Sequence, residues 1–211
     1  MPGFDVRSSV PSLRRMVTLT EVRDRLRLDL SDTGADRWPD EQLDRHIAHA
    51  LSELSLSMPR EVSESVATTA GSRDIDTSEL EGLIEVETVE FPIGQFPPAY
   101  PGFATWDEVL TLHVGTAATG EDAKLFYTAA HTLDGEGSTL PDSAVDILIT
   151  GASAYAALEL ASAHAGVLSL DPAAVERYAA WSRARLTAFR QLLHTYGRKN
   201  RVRQRRMYVP A

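Results

Sequence analysis

The chain contains no cysteine. That excludes a disulfide framework, a thiol nucleophile, a thiolate zinc finger and an iron–sulfur cluster. It also has no long apolar run. The most apolar stretch, ILITGASAYAAL at 147–158, is bounded by Asp146 and Glu159 and falls short of the ~18–20 residues that span a bilayer. The first residues, MPGFDVRSSVPSLRRMV, lack the apolar core of a secretory signal, and no hydrophobic run follows Arg14-Arg15. A soluble protein with no membrane partner is expected. Three catalytic signatures are missing as well: GxSxG, a glycine-rich phosphate loop and HExxH. At 211 residues the chain is long enough to bury a core without a staple. Its 24% of charged side chains is the proportion of an ordinary globular protein.

The last fourteen residues, GRKNRVRQRRMYVPA less its glycine, hold no acidic side chain. Arg198, Lys199, Arg201, Arg203, Arg205 and Arg206 give that segment +6. The preceding 197 residues carry the other 15 basic and all 30 acidic side chains, so the formal net charge of −9 divides into −15 and +6. The body should repel nucleic acid and the tail should attract anions.

The pattern along the chain is helical, then alternating, then helical. Residues 1–17, with Pro2, Gly3, Ser8, Ser9, Pro11 and Ser12, read as a flexible arm. Thr18 and Glu21 have capping-box spacing ahead of Leu19, Val22, Leu26 and Leu30. Pro39, Asp40 and Glu41 open a second helix, with Leu43, Ile47, Ala50, Leu51, Leu54 and Met58 on one stripe and Pro59 at its end. Strands of period two are expected at 61–69, 83–91, 109–114 and 124–130. PIGQFPPAYPGF at 92–103, with four prolines and two glycines, reads as an irregular projection. Its Phe96, Tyr100 and Phe103 either fold back on the sheet or face a partner. A third helix, from Pro141-Asp142 to about 164, is rich in alanine with Gly151 at its middle, and should be the buried centre. The fourth opens at Asp171-Pro172 and carries a heptad-like seam of Val175, Ala179, Ser182, Leu186, Phe189, Leu193 and Tyr196. Arg177, Arg183, Arg185 and Arg190 lie off the seam, and Gly197 is expected to stop the helix.

The expected fold is therefore α+β, mainly α. It is a helical bundle of two short N-terminal and two long C-terminal helices, with a β-strand insertion and an extended C-terminal arm. Its parts are a flexible arm (1–17), a helical core (18–59 and 138–197), a β-rich insertion (60–132) and a basic arm (198–211).

Few residues suggest chemistry. His46 and His49 stand one turn apart with Asp44 and Glu53 nearby, a spacing that metal ligands use; the plainer reading puts His46 beside the apolar stripe and His49 in water. His131 and Asp134, close to Ser138, Thr139 and Asp142, invite a triad. They also read as a strand end, a glycine turn and a helix cap. Glu85, Glu87 and Glu90 look like the solvated face of a strand. No catalytic, metal or cofactor site is assigned. The tail has three readings: a solvated run, a phosphate-binding segment, or an arm that docks on a protein. Met207, Tyr208, Val209 and Pro210 follow directly on the charges and favour the arm, with Tyr208 as an anchor.

The segments TLTEVRDRLRLDLSD, WPDEQLDRHIAHALSELS and HTLDGEGSTLPDSAVDILITGASAYAALELAS, followed by the final helix, resemble the head–tail connector proteins of tailed bacteriophages over roughly residues 16–196. The HTLD…STLP…GA.AYA string is the distinctive part. The resemblance implies a structural virion protein of the neck region, present in the host cytoplasm during assembly. It implies a homo-oligomeric ring, commonly twelve-fold, beneath the portal, lining the channel through which DNA passes without sequence-specific binding. It implies no catalytic residues and no cofactor. By position it makes Arg198, Lys199, Arg201, Arg203, Arg205, Arg206, Met207, Tyr208 and Val209 a portal-docking arm. Arg177, Arg183, Arg185 and Arg190 become subunit-contact candidates, and Phe96, Tyr100 and Phe103 candidates for meeting the next neck or tail component. The alternative is a nucleic-acid-binding module that acts through the basic tail.

Overall fold

The computed structural model describes residues 16–164 and 172–199. Four helices and two small antiparallel sheets make a mixed α+β fold in which every described strand falls between the second and third helices. The helices are α1 (Leu19–Asp29), α2 (Asp40–Ser57), α3 (Asp142–His164) and α4 (Pro172–Lys199). Only α1 is short, at 11 residues; α2 has 18.

Local chemistry sets the helix boundaries. Thr18 caps α1: the Glu21 amide donates to its hydroxyl at 3.3 Å, and the Glu21 carboxylate accepts from the Thr18 amide at 3.1 Å. Val17, at the end of the segment read as a flexible arm, is buried in the helical core. Pro39 is the N-cap of α2 rather than its first residue, and α2 ends before Pro59.

Between α1 and α2 the chain turns around one buried carboxylate. Asp32 accepts the amides of Asp36, Arg37 and Trp38 at 3.1–3.2 Å and pairs with the buried Arg27 guanidinium at 3.0 Å. Arg27 also donates to the Trp38 carbonyl and to Asp40. Trp38 is thereby held inside the core, where its indole N–H reaches the Ala156 carbonyl of α3 at 3.4 Å.

α3 touches the other three helices. Ala144, Ala152, Ala154, Ala156, Ala157 and Ala161 are buried; Ala163 is not. By length and composition the stretch Asp142–Ala163 is apolar enough to cross a membrane, but 67% of its window is buried inside the protein. Its apolar surface is spent on α2 and α4. The seam read on α4 is the face it buries: Ser182, Phe189 and Leu193 are buried, and Val175, Ala179, Leu186 and Tyr196 are half-buried. The Ser182 hydroxyl donates to the Ala154 carbonyl at 2.8 Å. Phe189 lies flat over Gly151, where an added Cβ would come within 2.7–2.9 Å of three ring carbons.

The sequence reading of Gly197 is corrected. α4 runs through it to Lys199. A Cβ there would lie 2.6 Å from the Ser57 carbonyl oxygen at the end of α2, so this glycine permits a close helix crossing rather than a stop.

The β-rich part has its own core. It comprises β1 (Arg60–Ala67), β2 (Asp74–Asp76), β3 (Leu83–Glu90), β4 (Gly102–Trp106), β5 (Val109–His113) and β6 (Asp122–Ala129). The sheet orders are β1-β6-β3 and β2-β5-β4, all antiparallel. Ile75, Leu110 and Leu112 of the second sheet share one cluster with Val86, Val89, Leu125 and Tyr127 of the first. The four strands read from alternation are present, with ends shifted by at most two residues; β2 and β4 went unread. β2 is three residues long. β4 starts inside the run taken as wholly irregular. In β3 the register shifts near Leu83 and Val86, which puts the buried Val86 and Val89 three apart.

Two substitutions test this packing. Gly151→Ala should cost ~1–3 kcal/mol of unfolding free energy through overpacking against Phe189, and Phe189→Leu in the same chain should recover part of it. Asp32→Ala should cost ~3–5 kcal/mol, because it removes the buried partner of Arg27, leaving it the exposed Asp40, and unpairs three loop amides. Urea unfolding followed by tryptophan fluorescence measures both.

Candidate functional site

The sequence-level chemical candidates become structural once placed. His131 follows the end of β6, and its ring sits between two chain segments. Nε2 is 2.9 Å from the Met58 carbonyl oxygen; Nδ1 is 3.1 Å from the Thr139 carbonyl oxygen and 3.2 Å from its hydroxyl. In the neutral ring Nε2–H donates to Met58, and Nδ1 can accept the Thr139 hydroxyl proton. The His131 amide donates to Ser55 of α2. Asp134 accepts the amides of Glu136 and Gly137, and these bonds hold its carboxyl below the usual range. Its own carbonyl accepts the Leu19 amide at 2.7 Å. Histidine and carboxylate are thus occupied separately, the one by backbone carbonyls and the other by a turn.

His46 and His49 diverge from each other. His46 is buried, with Nε2 2.6 Å from the Glu159 carboxylate, which also pairs with Arg45. His49 packs against Tyr155 with ring centroids 4.3 Å apart and the ring planes inclined at 55°. The Tyr155 hydroxyl donates to Glu53 at 2.6 Å, with Arg190 beside it. Burial, followed by the Glu53 contact, pushes that phenol up to about 12. Among the described residues no three His, Asp or Glu side chains gather as metal ligands.

The arginines of α4 differ in their use. Arg185 pairs with Asp29 of α1 and lies over the Trp181 ring, 4.9 Å from its centroid. Arg183 pairs with Glu176 on its own helix at 3.1 Å, Arg190 stands by Tyr155, and Arg177 is exposed. Arg185 is therefore largely engaged within the chain.

Of the three projecting aromatics, Phe96 is 97% exposed, Tyr100 37%, and Phe103 packs against the β core. The fold-back reading holds for Phe103 and fails for Phe96. Sequence reasoning missed Trp106, 87% exposed at the tip of the β4–β5 hairpin. The tip is a two-residue turn, Asp107-Glu108, with Asp107 at φ 55°. The Thr77 amide and hydroxyl both donate to the Glu108 carbonyl at 2.8 Å and pin the turn.

A second feature also went unread. Asp29, Leu30, Arg37, Arg177, Tyr178 and Trp181 line an open groove of about 620 Å³ between the end of α1 and the first half of α4. Arg37 donates to the Tyr178 hydroxyl at 2.8 Å. Trp181 is 37% exposed. The portal-docking arm assigned to Arg198, Lys199, Arg201, Arg203, Arg205, Arg206, Met207, Tyr208 and Val209 lies outside the described residues, apart from the helical backbone of Arg198 and Lys199.

A pH dependence follows from the buried His46 and the half-buried His131. Burial is the main force holding both His46 and His131 below the ordinary value of 6.5. Below that value the unfolded chain takes up protons that the folded chain refuses. Stability is therefore full above about pH 6.5 and should fall as the pH drops toward the folded values. His46→Gln with His131→Gln should flatten the profile of urea midpoint against pH; an unchanged slope would assign it elsewhere. No protein-family model matches the sequence, and no curated protein is significantly similar to it.

Proposed function

We propose that this chain is a structural virion protein, a head–tail connector that assembles as a ring, commonly twelve-fold, beneath the portal. In this reading α1–α4 form the helical bundle of the ring wall. The β-rich part faces the next neck or tail component, and the basic C-terminal segment docks on the portal. DNA passes through the channel without sequence-specific contact, eased by the acidic body. The protein belongs to the virion neck and to the host cytoplasm during assembly, with no membrane partner, no cofactor and no enzymatic activity.

The observation that supports this most is apolar surface left out of both cores. Phe96 and Trp106 on the β-rich part, and Leu28, Leu56 and Met16 on the helical part, are exposed. Large exposed side chains of this kind mark interaction surfaces when they cluster. The residues that carry the family resemblance also fit a scaffold: His131, Asp134, Ser138, Thr139 and Gly151 all hold backbone or permit close packing.

The +6 tail supports a second reading, nucleic-acid binding. Salt separates the two, since a phosphate binder loses affinity steeply with ionic strength. In the connector reading, mass measurement of the full chain mixed with its portal gives a ring complex. Deleting 198–211 leaves a folded body that no longer joins the portal. Wild-type joining by the truncated chain would overturn the arm, and tight duplex-DNA binding at physiological salt would overturn the slippery channel.

A further inference from the structure

Among the described residues, β1 is an edge strand with β6 on one side and no strand on the other. It has eight residues, pairs with β6 in unbroken register, and contains no proline and no lysine. The opposite edge of the same sheet, β3, is interrupted by register shifts, and the edges of the second sheet, β2 and β4, are shorter. Backbone groups alternate sides along a strand, so about half of the β1 amides and carbonyls point away from β6. A long, regular edge of this kind is a template for a further strand. Glu61, Ser63, Glu64, Ser65 and Ala67 are exposed there, while Val62 and Val66 are half-buried at the rim of the β core.

Charge decides what can pair with this edge. Glu61 shares a cross-strand row with Thr128 and the exposed Glu85. Residues 60–130 hold 13 acidic side chains against Arg60, Arg73 and Lys124, a net −10. The β1 edge of a second copy would set Glu61 and Glu64 against like charges; a basic strand would not. The chain supplies one. Residues 200–209, NRVRQRRMYV, contain no acid, glycine or proline. As a strand they would put Arg201, Arg203 and Arg205 on one face, and Val202, Gln204, Arg206 and Tyr208 on the other. With the first set beside Glu61, Val202 and Tyr208 fall on the side of Val62 and Val66. The starting point agrees. Gly197, near the end of α4, abuts the Ser57 carbonyl, and Arg60 is three residues beyond Ser57, at most about 11 Å. Ten residues extend at most about 36 Å, and β1 is about 26 Å long. The segment therefore reaches along much of β1 but cannot pass its far end and return. We infer that residues 200–209 pair with the free edge of β1 in the same molecule, parallel to it, with arginines over Glu61 and Glu85. This seat does not depend on the connector reading. Within that reading, portal docking draws the segment away and bares the edge only at assembly.

Amide hydrogen exchange of the full chain, followed by nuclear magnetic resonance, reads the pairing at β1 itself. Adjacent amides of a strand face opposite sides, so Arg203→Pro with Gln204→Pro removes one donor from the β1 side wherever the register lies. The outward amides of β1 should exchange about tenfold more slowly in the native chain than in this variant, the effect of hydrogen bonds of ordinary net strength. The amides that bond β6 should stay slow in both. Arg201→Glu, Arg203→Glu and Arg205→Glu together should speed the outward amides likewise. Adding Glu61→Lys and Glu85→Lys to that chain should slow them again, because opposite charges then meet. Equal exchange in the native and proline chains, whether fast or slow, would overturn the pairing. Protection that rises with protein concentration would overturn pairing within one molecule and give the edge to a second copy. None of these readouts involves the portal, so failure here leaves the connector reading standing, and failure of portal joining leaves the seat standing.

Discussion

The fold depends on how closely α3 and α4 approach, and that is set where Phe189 lies on Gly151. With no side chain at 151, the phenyl ring rests on helix backbone. Ser182 then comes near enough to bond the Ala154 carbonyl. The same approach brings α3 under Trp38, whose indole reaches Ala156. Trp38 is in turn fixed by Asp32 and Arg27. A glycine in mid-helix costs helix propensity, ~1 kcal/mol against alanine; the buried aromatic and the hydrogen bonds that it admits offset that cost.

Polar groups inside this body serve the backbone. Asp32 closes the α1–α2 loop, His131 ties the end of α2 to the start of the α3 approach, and Asp134 shapes the turn between. Each answers donors or acceptors that a buried turn would otherwise leave unpaired. That explains why a histidine, an aspartate and a hydroxyl so close in sequence do not converge on a common point: their partners are the main chain on either side of them.

Legibility followed the range of the interaction. The Thr18–Glu21 cap and the α4 seam were readable because both are local, three or four residues deep. Gly197 reads locally as a helix stop, because the Ser57 carbonyl that it lets approach lies far away in sequence. β4 was hidden because its most conspicuous residue, Trp106, points outward, against the expectation that aromatics in strands are buried. The groove was unreadable for a similar reason: Arg37 and Tyr178 are 141 positions apart, and no local pattern marks either. Phe96 and Phe103 belong to one proline-rich run, yet only Phe103 continues into a strand and finds the β core.

The imidazole of His131 touches the C-cap of α2, just before the β-rich part, and the segment that returns from it, through Met58 on one side and Thr139 on the other. The entire six-strand unit thus enters and leaves the helical body at a point one ring wide. Chain ends that lie together are what allow a segment to be grafted into a fold. A different unit whose ends meet at this doorway could therefore be joined to α1–α4 without moving α2 or α3.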